Sequence, residues 1–253
     1  MPLDYVRTRE LPGVVNLVCF ESMPKSCRVL DIASPQLLGL HLGLLQPGWS
    51  ITYLNPFDPE LVQMRHWADL LGVVSVQTIA GDAREPCRFA PGSFDLILCS
   101  SVLEHINDGP GAPGDAVVMR NMAGWLAQGG QAVISVPYAR VGFEEFTAKP
   151  VYGAASAPGG APNFFQRFYD AGSLNSRLLE PSGLEVAKLT YLGERFYHED
   201  DPRRRLAVTL ARSRWRYVLG RLYPWLACCF LEASNDVCGL RKPYIAFASL
   251  FKP

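Results

Sequence analysis

Short runs of β-branched and apolar residues alternate with helix-length amphipathic segments from Arg28 to the end of the chain. That alternation constrains the fold more than any other feature. RVLDI, SITYL, SVQTIA, SFDLILCS and QAVISVP read as five strands in order. Helical patterns follow the first, second and fourth, and Gly72 and the Gly129–Gly130 pair are expected to stop two of those helices. The continuous apolar character of SFDLILCS suits a strand covered on both faces. A helix, a PSG turn and a sixth strand are expected within SLNSRLLEPSGLEVAKLTYLG, and PYIAFASLFKP supplies a seventh. Strands and helices in series imply an α/β, doubly wound, Rossmann-like architecture: a seven-stranded, mostly parallel sheet with helices on both faces.

The chain has 253 residues, 49% hydrophobic and 19% charged, enough apolar material for one large core, so 1–253 is read as a single domain. Lys plus Arg and Asp plus Glu are both 24, so no global field draws the molecule to nucleic acid, which is not an expected partner. Seven scattered cysteines, several in apolar runs, fit a reducing cytoplasm. Asp4, Arg7, Arg9 and Glu10 interrupt the first stretch and argue against a signal peptide. The apolar run from Leu222 to Leu231 contains Pro224 and is far shorter than the ~20 residues of a spanning helix.

Two segments break the alternation. Residues 138–170 include YGAASAPGGAP, which buries little apolar surface and reads as a lid or substrate loop. Residues 195–242 form a basic, aromatic, helical insertion before the last strand. Its PRRRLAVTLARSRWRYVLGRLYPWL carries seven arginines and no acid, which raises contact of 203–225 with an anionic membrane surface, and hence a peripheral membrane location, against a plain solvated helical face.

In open parallel sheets, ligands bind beyond the carboxyl ends of the strands. Those ends carry DIASP, NPFD, GDA and CSSVLEH, with Tyr138 after the fifth strand. With VLDIASPQ after the first strand, GDA after the third and SFDLILCSSVLEHI at the fourth, the chain resembles the class I S-adenosylmethionine-dependent methyltransferases, of the bacterial small-molecule or glycan type, across about Arg28 to Tyr138. The resemblance implies S-adenosylmethionine as cofactor, held by Asp31, Ala33, Ser34, Asn55, Asp58, Asp82, Ala83, Ser100 and Ser101, with Asp82 on the adenine amino group. It also implies methyl transfer to a small-molecule, sugar-like or lipid-linked acceptor, most simply at a hydroxyl. His105 is a candidate general base, because imidazole titrates near pH ~6.5; the alternative is a structural histidine. Tyr138 is a second candidate, and no metal is expected.

The first motif departs from the family. Ala33, Pro35 and Leu37 stand where glycines are usual, with Ser34 as an expected helix cap. Asn55 stands where an acid commonly holds the ribose, and Asp58 either shares that role or caps the next helix. These departures keep open a second class, a degenerate methyltransferase fold that binds a partner or catalyses another reaction. Asp82→Ala is expected to abolish binding of S-adenosylmethionine in folded protein; unchanged affinity in a calorimetric titration refutes the placement.

Overall fold

The computed structural model describes residues 5–35, 37–108, 112–148, 162–195, 201–213, 224–225 and 228–253. Its main sheet contains β1 (Arg28–Ile32), β2 (Ser50–Asn55), β3 (Val76–Ala80), β4 (Phe94–Ser100), β5 (Leu126–Pro137), β8 (Glu185–Glu194), β9 (Leu231–Ser234) and β10 (Lys242–Phe251), in the order β3-β2-β1-β4-β5-β10-β8-β9. The first five strands are parallel; β10 is antiparallel to β5 and β8, and β9 to β8. The sheet thus has eight strands rather than seven. The extra one, β9, is a four-residue edge strand inside the insertion, too short to show a period.

Helices cover both faces, as the alternation requires. α4 (Gly114–Trp125), α5 (Ala171–Leu174), a π turn (Asn175–Leu179) and α6 (Glu180–Ser182) precede β5 and β8. Met119, Met122, Trp125, Leu174 and Leu178 from these segments pack with Ile97, Ile134 and Ala248 of the sheet. On the opposite face, α1 (Arg7–Leu17), α2 (Leu37–Leu45) and α7 (Pro202–Arg212) bring Val14, Leu17, Leu38, Leu42, Ala207 and Leu210 against Val29, Leu98 and Phe247. α3 (Asp58–Leu71) closes a smaller cluster through Leu61, Met64 and Ala68.

Gly72 ends α3 at φ 68°, in the left-handed conformation that spares glycine a Cβ clash. Gly129 and Gly130 do not stop α4, which ends at Trp125; they lie within β5, at an irregularity in its pairing with β4. A run of helix formers there is overridden by ladder hydrogen bonds. α1 is an element that the alternation did not show. It packs closely on β10, since a Cβ at Gly13 would come within 2.9 Å of the Phe247 ring.

The described part of 138–170 is mostly an antiparallel ribbon, β6 (Phe143–Thr147) with β7 (Asn163–Phe168). Residues 149–161 of the expected lid, and 196–200, 214–223 and 226–227 of the insertion, lie outside the described residues. The ribbon is tied to the body by charge. Fully buried Asp115 at the start of α4 accepts from Arg167 of β7 (3.0 Å), from Arg177 of the π turn (2.9 and 3.0 Å) and from the Tyr169 hydroxyl (2.8 Å). Arg167 also grips Glu144 of β6 at 2.9 Å.

Removing one member of such a cluster leaves the rest buried and uncompensated. Asp115→Asn is therefore expected to cost about 3–5 kcal/mol in denaturant unfolding. A change within ~0.5 kcal/mol, the range of ordinary surface substitutions, would show that the cluster contributes nothing to holding the ribbon.

Candidate active site

β1 pairs with β2 on one side and β4 on the other, so the loops after β1 and β4 part there and leave a crevice at their carboxyl ends. Asp31, near the end of β1, is fully buried. One of its oxygens accepts from the Ser34 amide at 3.2 Å; the other, Oδ2, is buried without a partner. Burial pushes this carboxyl up to about 7, against the hydrogen bonds from Ser34. The tight fit extends to α2, where a Cβ at Gly39 would come within 2.8 Å of Oδ2.

The glycine-poor loop keeps an unusual path. Ala33 adopts φ +47°, a conformation that costs an L-residue roughly 1–2 kcal/mol. Its amide donates to the Leu54 carbonyl at 2.8 Å, and the Ser34 hydroxyl oxygen accepts from the Ser100 amide at 2.9 Å. Ser34 thus stitches the β1 loop to β4.

After β2, the amide of buried Asn55 is engaged at both ends: Oδ1 accepts from the Phe57 amide (2.9 Å) and Nδ2 donates to the Tyr53 hydroxyl (3.1 Å). Asp58 is exposed and is the first residue of α3; the cap position is Phe57, with no side-chain cap bond, so the capping reading of Asp58 does not hold. After β3, Asp82 is clasped by Arg84, whose Nε and Nη2 donate to it at 2.9 and 2.6 Å. Partial burial would raise the Asp82 carboxyl, but the guanidinium wins and holds it below the usual range. The Ala83 carbonyl accepts from Asn121 of α4 at 2.9 Å, which fixes the turn.

The ends of β4 and β5 carry the densest chemistry. Ser100 and Ser135 hydroxyls are 2.7 Å apart, and Ser135 donates to Glu10 Oε1 at 2.8 Å. Ser101, at φ +51°, donates to the same oxygen at 2.5 Å. Glu10 is 1% exposed and comes from α1. Glu104 is 2% exposed, and its Oε2 has no partner. Burial pushes Glu104 up to about 8, with repulsion from Glu10 adding to it. His105 Nδ1 lies 2.8 Å from the Phe165 carbonyl of β7; a carbonyl only accepts, so Nδ1 carries the proton and Nε2 the lone pair. Nε2 is 3.8 Å from Glu104 Oε1, and burial lowers the His105 pKa.

The sequence-derived residues therefore line the carboxyl ends of β1 to β4. Tyr138 packs into the core, edge-on to Tyr191 at 4.9 Å between centroids. Glu10, Glu104 and Ser135 stand with them at these strand ends, outside the residues to which the sequence points. Glu10 had a signal: it shares a helical face with Val14 and Leu17, and a carboxylate on an apolar face calls for a partner. Among the described residues no group of three or more His, Cys, Asp or Glu could hold a metal.

The strand ends offer a cationic ligand group one matching feature, a buried carboxyl oxygen on Asp31 with no hydrogen-bond donor. Residues 38–134 match the methyltransferase domain family. No curated protein matches the chain. Among solved structures, the chain resembles the [4+2]-cyclase SpnF (15% identity, TM-score 0.60, 98% of this chain and 82% of that one). It also resembles coclaurine N-methyltransferase bound to N-methylheliamine and SAH (12%, TM-score 0.59, 96% and 70%). A third is 1,6-didemethyltoxoflavin-N1-methyltransferase of Burkholderia thailandensis, with its substrate and S-adenosylhomocysteine (15%, TM-score 0.55, 95% and 76%). At these identities the likeness shows the fold alone, a Rossmann-like α/β fold, and the domain match adds that residues 38–134 correspond to a methyltransferase domain.

Proposed function

We propose that the enzyme methylates a hydroxyl of a small-molecule acceptor, sugar-like or lipid-linked, with His105 taking the hydroxyl proton. S-adenosylmethionine supplies an electrophilic methyl group on a sulfonium. Asp31, Ala33, Ser34, Asn55, Asp58, Asp82, Ala83, Ser100 and Ser101 are the residues assigned to hold it. The carrying observation is the His105–Phe165 hydrogen bond, which fixes the tautomer with Nε2 as acceptor, while burial keeps the ring neutral near pH 7. A hydroxyl needs such an acceptor, whereas an amine attacks through its own lone pair. Positioning supplies the rest of the rate.

A second reading is supported by the [4+2]-cyclase among the similar folds: the same scaffold serving a reaction other than methyl transfer. Incubation with S-adenosylmethionine and a panel of hydroxylated acceptors, read by mass spectrometry, separates the two. The acceptor reading extends to the insertion. β8 runs parallel to β5, so the two strands end on the same side of the sheet. Arg203 and Leu206 of α7 are exposed, and Trp225 is 62% exposed. These groups support contact of 203–225 with an anionic membrane surface that would present a lipid-linked acceptor.

His105→Ala is expected to lower kcat by about 10²–10⁴-fold with little change in donor binding. Because its folded pKa is depressed, the wild-type rate should fall only as pH drops below ~6.5, when Nε2 is protonated. Activity equal to wild type in the variant, or a flat profile down to pH ~5, would remove His105 from the reaction.

A further inference from the structure

We propose that Glu10 of α1 and Glu104 after β4 form a buried carboxyl pair that recognises the positive charge of the donor's sulfonium and so separates the donor from its neutral thioether product. The inference rests on S-adenosylmethionine as the donor and adds residues that the resemblance did not supply.

Position comes first. Glu10 is delivered from outside the methyltransferase-matching segment and is bonded to Ser101 and Ser135 at the ends of β4 and β5, beside the candidate base His105. Those two hydroxyl protons both point at Glu10 Oε1, an arrangement that suits an ionised acceptor. Its other oxygen is 3.9 Å from Arg7 Nη1.

Charge balance comes second. The groups that face Glu104 are Glu10 and Arg7 from α1, Cys99 of β4, adjacent His105, and Tyr169 after β7. Among them, Arg7 is the only full cation against two carboxyls. Across Cys99 lies a third carboxyl, Asp31, whose field also reaches that thiol. Two buried carboxyl oxygens in this region, Glu104 Oε2 and Asp31 Oδ2, have no partner. A buried carboxyl left so must be neutral or must meet a cation. The bound donor brings one.

The reaction then changes the sign of the interaction. As methyl transfer proceeds, the C–S bond breaks, its electron pair stays on sulfur, the carbon bonds to the acceptor oxygen, and the hydroxyl proton goes to His105. Sulfur is left neutral. Attraction to the carboxyl pair is thus present for the donor and absent for the product, which favours release after each turnover.

The test is calorimetric titration of the full chain with S-adenosylmethionine and with S-adenosylhomocysteine. Glu10→Gln keeps the hydrogen-bond acceptor and removes the charge. It is expected to weaken the cationic donor about tenfold and the neutral product less than about twofold. Glu104→Gln should act in the same direction, and it carries the test if thermal melting shows that the Glu10 variant is unfolded. A second readout is the proton. Glu104, protonated at neutral pH, should release a proton when the cation binds, seen as a dependence of the binding heat on buffer ionisation enthalpy. The release should be absent with S-adenosylhomocysteine and in Glu104→Gln. Equal loss for both ligands, or none, would overturn the carboxyl-pair assignment while leaving the donor in place. Failure of the wild type to bind either ligand would overturn the donor and this inference together.

Discussion

The parallel pairing of β1 with both β2 and β4 is the constraint on which the crevice depends. Crossover connections send the chain to opposite faces on either side of β1, so the loops after β1 and β4 must separate. The Ser34 hydroxyl, accepting from the Ser100 amide, ties the β1 loop to β4, and the Ala33 amide, donating to the Leu54 carbonyl, ties it to β2. These bonds explain how the loop retains a left-handed residue without glycine. The strain at Ala33 is of the size that one or two buried hydrogen bonds can offset.

Around that crevice burial holds two carboxyl groups toward their protonated form, and the consequence for stability has a definite sign. Asp31 and Glu104 have folded pKa values of about 7 and about 8, above the values of ~3.9 and ~4.3 of an unfolded chain. The native state therefore holds more protons than the unfolded state between those limits. Their contribution is most favourable below pH ~4 and is lost progressively as pH rises through 7 to 8. A protein selected for stability alone would not keep both groups without partners. Their retention beside the site fits a role in which a ligand completes the charge.

Legibility in the sequence followed the range of the interactions. Seven of the ten described strands are readable, because each is a local apolar run bounded by turn residues. β9 and the β6–β7 ribbon were not, since short strands and FEEFT against NFFQRF depend on partners far away in the chain. The helix preceding β5 ends at Trp125, earlier than its pattern suggests, because Ala127 and Gln128 favour helix locally and only the ladder assigns them to the strand. In the site, Asp31, Ser34, Ser100, Ser101 and His105 were named from positions after strands. Their partners were not: Glu10 lies 91 residues from Ser101 and 125 from Ser135, and Phe165 lies 60 from His105. Such pairings are set by packing, which a single sequence does not display.

The buried charge clusters among the described residues also show how a structural network can be told from a functional one. Asp115 is fully buried, yet its oxygens are met by two guanidiniums, a tyrosine hydroxyl and a backbone amide; nothing is left for a ligand to satisfy. Arg204 and Tyr5 close Glu194 in the same way at the foot of α7. At the crevice the balance is different, because buried carboxyl oxygens remain unmatched where the strand ends converge. Since burial without compensation costs several kcal/mol per ion in ordinary protein interiors, the location of the unmatched groups, more than the presence of charge, marks where a cation is to be received.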